Sequence, residues 1–328
     1  MPDFKLGLAL GSGSARGWSH IGVIQALNEV GLKPDIVVGS SVGALVGASY
    51  AAGTLPEFTD WVTSLTTVDI VRFFDLTLSG GGLILGKRVM GTFSEQIAKR
   101  NIEDLSPRFA AVATELYTGR EIWLTRGPLL EAVRASIALP GLFTPIQINN
   151  RWLVDGGLVN PVPVSVCRAL GADIVIAVNL NGDIISPITA LPHSLQREKH
   201  AQLMASKKAA NANSLTDNTA EKASGWSILD AIKRWSLGDL LSISSEQEET
   251  RPRLLDVTLS AINIMQDRIT RSRLAGDPAD VVISPRLSDV RLMEFHRATE
   301  CIEEGRRATL RMTSALEELT YIKQRDGL

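Results

Sequence analysis

Ile36-Val37-Val38-Gly39-Ser40-Ser41-Val42-Gly43-Ala44-Leu45-Val46-Gly47-Ala48 runs from three β-branched residues through a Gly/Ser pentapeptide into small residues that continue to Ala52. Such an order predicts a strand, a sharp turn and a helix. A nucleophilic serine needs that turn, because its hydroxyl must stand clear where the backbone is strained and neighbouring side chains would collide unless they are very small. Gly39 and Gly43 lie two residues either side of Ser41 and meet this requirement for a nucleophile elbow. The start of the following helix would also favour developing negative charge. A Gly/Ser turn that merely packs tightly has the same pentapeptide, so the remainder of the chain has to decide.

Upstream, Lys5 to Leu10 is a short apolar run, and Trp18 to Val30 has helical spacing through Ile21, Ile24 and Leu27. Between them lies Gly11-Ser12-Gly13-Ser14-Ala15-Arg16-Gly17, where successive backbone N–H groups can converge on an anion. A dinucleotide site would want its third glycine where Arg16 stands, and Asp35 comes before its strand rather than at the end of it. No Gly-Lys-Ser/Thr follows to make a phosphate loop of the Walker kind. An oxyanion hole asks only for donors about 3 Å from an acyl oxygen. Gly11, Gly13, Ser14 and Arg16 are the candidates, and this reading is preferred to nucleotide binding.

Two βα units thus stand side by side. Further strands are expected at Phe109 to Thr114, Glu121 to Thr125, Trp152 to Val154, Ile174 to Val178 and Val281 to Ile283. Helices are expected at Leu129 to Ile137, Val164 to Leu170, about Leu254 to Leu274 and about Met293 to Ile322. Together they argue for an α/β fold with a parallel-rich sheet covered on both faces. Residues 1–181 form the expected core and 254–328 complete it. The polar stretch 182–253 is expected to be a mobile insert with an amphipathic helix at Trp226 to Leu241.

The 328 residues are 45% hydrophobic and carry a formal charge of -2, enough apolar material for a sizeable core and no basic field for nucleic acid. Cys167 and Cys301 lie far apart without metal-ligand spacing and read as reduced thiols. The first residues lack the basic region, apolar run and cleavage site of a secretory signal, so a cytoplasmic protein is expected.

A serine needs a base. The four histidines, His20, His193, His200 and His296, have no convincing catalytic setting and read as surface or structural residues. Asp155 differs, because Trp152-Leu153-Val154 ends at Asp155-Gly156-Gly157, a tight turn that lifts a carboxylate to a sheet edge. A carboxylate within hydrogen-bond reach can itself serve as the base.

The glycine loop ending Arg16-Gly17, the Gly39 to Gly43 elbow and Asp155-Gly156-Gly157, in this order, resemble the patatin-like phospholipases. Arg134-Ala-Ser-Ile-Ala-Leu-Pro140-Gly-Leu-Phe143-Thr-Pro145 is similar to the stretch that precedes the family's aspartate. Within the family the chain looks most like small bacterial RssA-type proteins, through Arg271-Ser-Arg-Leu-Ala-Gly-Asp-Pro-Ala-Asp280 and the final helix. The resemblance implies a three-layer patatin-like fold, a Ser41–Asp155 catalytic dyad, an oxyanion hole in the Gly13 to Arg16 backbone and hydrolysis of lipid acyl esters. It implies no metal or cofactor. The partner expected from the sequence is a lipid or acyl-ester substrate, with no nucleic acid; Trp226 to Leu241 could lie in a membrane interface at the inner face of the membrane, or serve instead as a lid or oligomer contact. The alternative is a catalytically quiet lipid-binding regulatory or scaffold protein with the same fold.

Overall fold

β1 (Leu6–Leu10) and β2 (Ile36–Ser40) are buried at every position, as parallel strands covered on both faces must be. In the computed structural model, which describes residues 4–69, 97, 99–182 and 254–326, they pair with Gly7 opposite Ile36 and Leu10 opposite Gly39. β3 (Arg108–Glu115), β7 (Ile174–Val178) and β8 (Val281–Ile283) extend the parallel set. β4 (Glu121–Leu124), β5 (Ile146–Ile148) and β6 (Arg151–Asp155) join it antiparallel. The strand order is β5-β6-β3-β2-β1-β7-β8, with β4 also paired to β3. The fold is therefore α/β with a mostly parallel sheet.

Alternation along β1 sorts the two helical layers. Leu6, Leu8 and Leu10 pack with Ile24 and Leu27 of α1 (Ser19–Glu29), Val46 of α2 (Val42–Ala51) and Phe58 of α3 (Leu55–Thr63). Ala9, Ile36 and Val38 face the other way, onto Val164, Val166 and Cys167 of α5 (Val164–Ala169). α4 (Leu129–Ser136) covers the antiparallel end through Ala135, against Ala113 and Leu153. Each large apolar side chain removed from water contributes about 1.5–3 kcal/mol, so the sandwich carries the loops at the strand ends on a rigid base. Both cysteines are free and buried.

α6 (Leu254–Gly276), α7 (Ala298–Leu310) and α8 (Thr313–Asp326) return the chain to the same compact unit as residues 1–183. The single closing helix expected from Met293 to Ile322 is instead a 3₁₀ turn at Phe295–Arg297 followed by α7 and α8. At the break, Thr313 Oγ1 donates to the Leu310 carbonyl, occupying an acceptor with a side-chain bond. α3 and β5 go beyond the sequence expectation. Pro56 sits in the first turn of α3, where its missing N–H costs nothing. The expected amphipathic helix at Trp226 to Leu241 lies outside the described residues. No helix among the described residues is long and apolar enough to cross a membrane.

Candidate active site

Ser41 occupies the turn between β2 and α2 with φ 56° and ψ -128°, a conformation that costs a non-glycine residue on the order of 1–3 kcal/mol. The surroundings hold it there. Ser41 N–H donates to Ser136 Oγ at 2.9 Å, and that hydroxyl donates onward to the Val112 carbonyl at 2.6 Å. The flanking glycines permit the fold-back. A Cβ on Gly39 would lie 2.3 Å from the Ala44 nitrogen, and one on Gly43 would lie 2.2 Å from the Leu10 carbonyl oxygen.

The strand registers explain how Asp155 reaches the elbow. Val112 of β3 pairs with Ser40 on one edge and Trp123 on the other, while the next residue, Ala113, pairs with Asp155 and Ile122. β4 holds one edge from Ala111 to Thr114, so β2 and β6 share the other. Where β2 turns away at Ser41, β6 arrives antiparallel and takes over, and its last residue is Asp155. The serine and the carboxylate meet because one strand edge passes from one partner to the next.

Ser41 Oγ donates to Asp155 Oδ2 at 2.6 Å, and Asp155 Oδ1 accepts from Gly157 N–H at 2.7 Å. The main chain of Asp155 is fixed too, its N–H donating to the Ala138 carbonyl and its carbonyl accepting from Thr114 Oγ1. The residue is fully buried. Burial pushes its carboxyl from 3.8 up to about 7, against the opposing pull of the Ser41 and Gly157 hydrogen bonds. A base in that range can accept a proton near neutral pH and give it back.

Among the described residues no histidine bonds to either side chain. His20 is buried with Nε2 2.7 Å from the Gly11 carbonyl oxygen, and burial lowers its pKa to about 4. It is a neutral prop under the glycine loop. His296 is exposed in the Phe295–Arg297 turn. His193 and His200 lie outside the described residues.

Two of the four expected loop donors need correction. Gly11 N–H donates to the Val178 carbonyl at 3.1 Å and Arg16 N–H to the Gly13 carbonyl at 3.3 Å, so both amides serve the fold. Ser12 and Ala15 N–H are likewise engaged, by Pro161 and Leu292. Gly13 and Ser14 N–H have no partner among the described residues, and neither has Val42 N–H at the start of α2. Val42 escaped the sequence reading, although its place directly after the serine is a usable signal. Ser136 escaped it as well, although it lies within the Arg134 to Pro145 stretch already noted for its family likeness. The Arg16 side chain is buried among neutral acceptors, the Gly13 carbonyl and the side-chain oxygens of Asn181 and Asn263. Desolvation lowers its pKa to about 10, which leaves it charged at neutral pH.

The family model described as patatin-like phospholipase matches residues 8–168. An uncharacterized NTE family protein of Mycobacterium tuberculosis is 36% identical over 334 residues, covering 95% of this chain and 92% of that one. Patatin-like phospholipase domain-containing protein 6 of Homo sapiens is 32% identical over 197 residues, 58% of this chain but 14% of the human protein. Lysophospholipase NTE1 of Pyricularia oryzae is 36% identical over 180 residues, 54% of this chain and 12% of the fungal one. A solved structure, VipD from Legionella pneumophila, aligns with a TM-score of 0.42 at 12% identity over 97% of this chain and 67% of that one, too distant a likeness to bear on the site. The near full-length match carries the NTE family name, and the narrower resemblance to RssA-type proteins gains nothing from it.

Proposed function

The chain belongs to the patatin-like phospholipase family, and from that premise we propose that it is a serine acyl hydrolase of the phospholipase, lysophospholipase or carboxylesterase type, cleaving lipid acyl esters through Ser41 and Asp155. The observation that carries the reading is the 2.6 Å hydrogen bond from Ser41 Oγ to Asp155 Oδ2. In the first half-reaction Asp155 takes the proton of Ser41 as Oγ attacks the acyl carbon. The tetrahedral oxyanion is received by the free amides of Gly13 and Ser14, with Val42 N–H and the start of α2 adding positive potential. Collapse breaks the ester bond, the proton held by Asp155 passes to the leaving alcohol oxygen, and an acyl-serine remains. In the second half-reaction Asp155 takes a proton from water, the oxygen attacks the acyl-serine, and the proton returns to Ser41 Oγ as the fatty acid leaves.

The burial of Asp155 suits this cycle, because a carboxyl poised near neutrality serves as both acceptor and donor at one pH. Hydrolysis of a p-nitrophenyl ester chain-length series and of lysophospholipids by wild-type and Ser41→Ala protein tests the reading. Turnover that disappears with the hydroxyl supports it. Turnover that survives Ser41→Ala contradicts it, and lipid retention without turnover by the wild type would favour the quiet lipid-binding protein.

A further inference from the structure

α6 belongs to the last third of the chain, yet one of its side chains touches both halves of the proposed site. Ser12 Oγ donates to Gln266 Oε1 at 3.1 Å, and both residues are buried. On the far side of Gln266 stands the acid turn: a Cβ built on Gly157 would lie 2.5 Å from Gln266 Nε2 and 3.0 Å from the Ser12 Cβ. The amide of Gln266 is thus lodged between the glycine loop and the residue whose N–H holds Asp155 Oδ1.

Ser12 is a sensitive point on the loop. Its own N–H and that of Gly11 are tied to Pro161 and Val178, whereas the next two amides, Gly13 and Ser14, are the free ones. The Ser12 side chain is the last fixed handle before those donors. Three residues along the same helix face, Asn263 accepts from Arg16 Nη2 at 3.2 Å, so α6 grips the loop at both ends of the free pair.

We infer that Gln266 is a positioning residue, which sets the distance between the oxyanion-binding amides and the Asp155 turn. This rests on the acyl-hydrolase reading above. An oxyanion donor works only when aimed at the place where charge develops, and a displacement of about 1 Å in such a site costs up to about 100-fold in rate. Gln266→Met keeps the bulk of the side chain and removes the hydrogen bond. Ser12→Ala removes the same bond from the loop side and leaves the helix intact.

The test is steady-state kinetics on a p-nitrophenyl ester, with the rate of Ser41 phosphonylation by a fluorophosphonate and the melting temperature measured on the same preparations. Each variant is expected to lower kcat about 10-fold with KM within about twofold. Phosphonylation should slow in proportion, and the double variant should fall no further than the worse single one. A purely structural role would lower the melting temperature without this split between kcat and KM. A folded Gln266→Met enzyme with kcat within about twofold of wild type overturns the inference. If Gln266→Met does not fold, Ser12→Ala decides by the same criterion. Hydrolysis that persists in Ser41→Ala overturns instead the reading on which the inference rests.

Discussion

The elbow at Ser41 and the loop at Gly11–Gly17 follow one plan, a strand, a turn of small residues and a helix start, but they are held in different ways. At the elbow the geometry is set mainly by close main-chain packing, with one side-chain bond from Ser136. Gly39 and Gly43 each leave room for main-chain atoms that a Cβ would strike, and α2 begins by bonding Ala44 N–H back to the Ser41 carbonyl at 2.9 Å. The glycine loop is shaped from outside, by Val178, Pro161 and Leu292 on its amides, His20 on a carbonyl, and Gln266, Asn181 and Asn263 on side chains. A nucleophile must be strained in one place. Its oxyanion donors must be aimed, and aim is supplied by distant parts of the chain.

Damage to the two turns should therefore register differently. The largest effect is expected from Gly43→Ala, whose Cβ has main chain in its way: stability should fall by about 4 kcal/mol or more, seen as a drop in Tm of about 10 °C. Gly13→Ala meets only the Leu180 side chain, at 2.7 Å. It should displace the loop and lower kcat about 10–100-fold with a smaller loss of Tm, and a collapse equal to that of Gly43→Ala would erase the distinction between the turns. Ser136→Ala, which leaves the Ser41 N–H without its acceptor, should cost about 1–3 kcal/mol in chemical denaturation.

The remaining effects are in pH dependence, and their signs are opposed. Asp155 has a folded pKa raised from 3.8 to about 7, so its contribution to stability is full below 3.8 and lost as pH rises through 7. Asp155→Asn should then match the wild-type Tm near pH 4 and exceed it at pH 8. His20 has a folded pKa lowered from 6.5 to about 4, so its contribution is present above 6.5 and lost as pH falls toward 4. His20→Gln, which keeps a donor for the Gly11 carbonyl, should flatten the decline of Tm between pH 6.5 and 4. An unchanged acid limb would remove His20 from its place under the loop.

Legibility in the sequence follows the same division. Ser41 and Asp155 are 114 residues apart, yet each stands in a turn with its own short signature, glycines around the serine and Gly-Gly after the aspartate. Both could be read singly and then joined. β1 and β2 were readable as continuous apolar runs. Gln266 was not, because nothing near it in sequence announces a bond to a partner 254 residues away, and Ser136, though inside the Arg134 to Pro145 stretch, carries no sign there of its partner 95 residues off. The direction of each loop amide was hidden for the same reason. Which N–H is free depends on where Val178, Pro161 and Leu292 come to lie, and that is settled by packing rather than by the Gly/Ser stretch itself.

The claim that Asp155 acts on Ser41 with no histidine between them is tested most directly by the rate at which a fluorophosphonate modifies Ser41, measured by mass spectrometry across pH. Wild-type protein should show a single rising limb centred near 7, the range to which burial raises the Asp155 carboxyl. In Asp155→Asn the limb should vanish and the rate fall by about 10³-fold or more. The same limb persisting in Asp155→Asn, or the label appearing on a residue other than Ser41, would contradict the account.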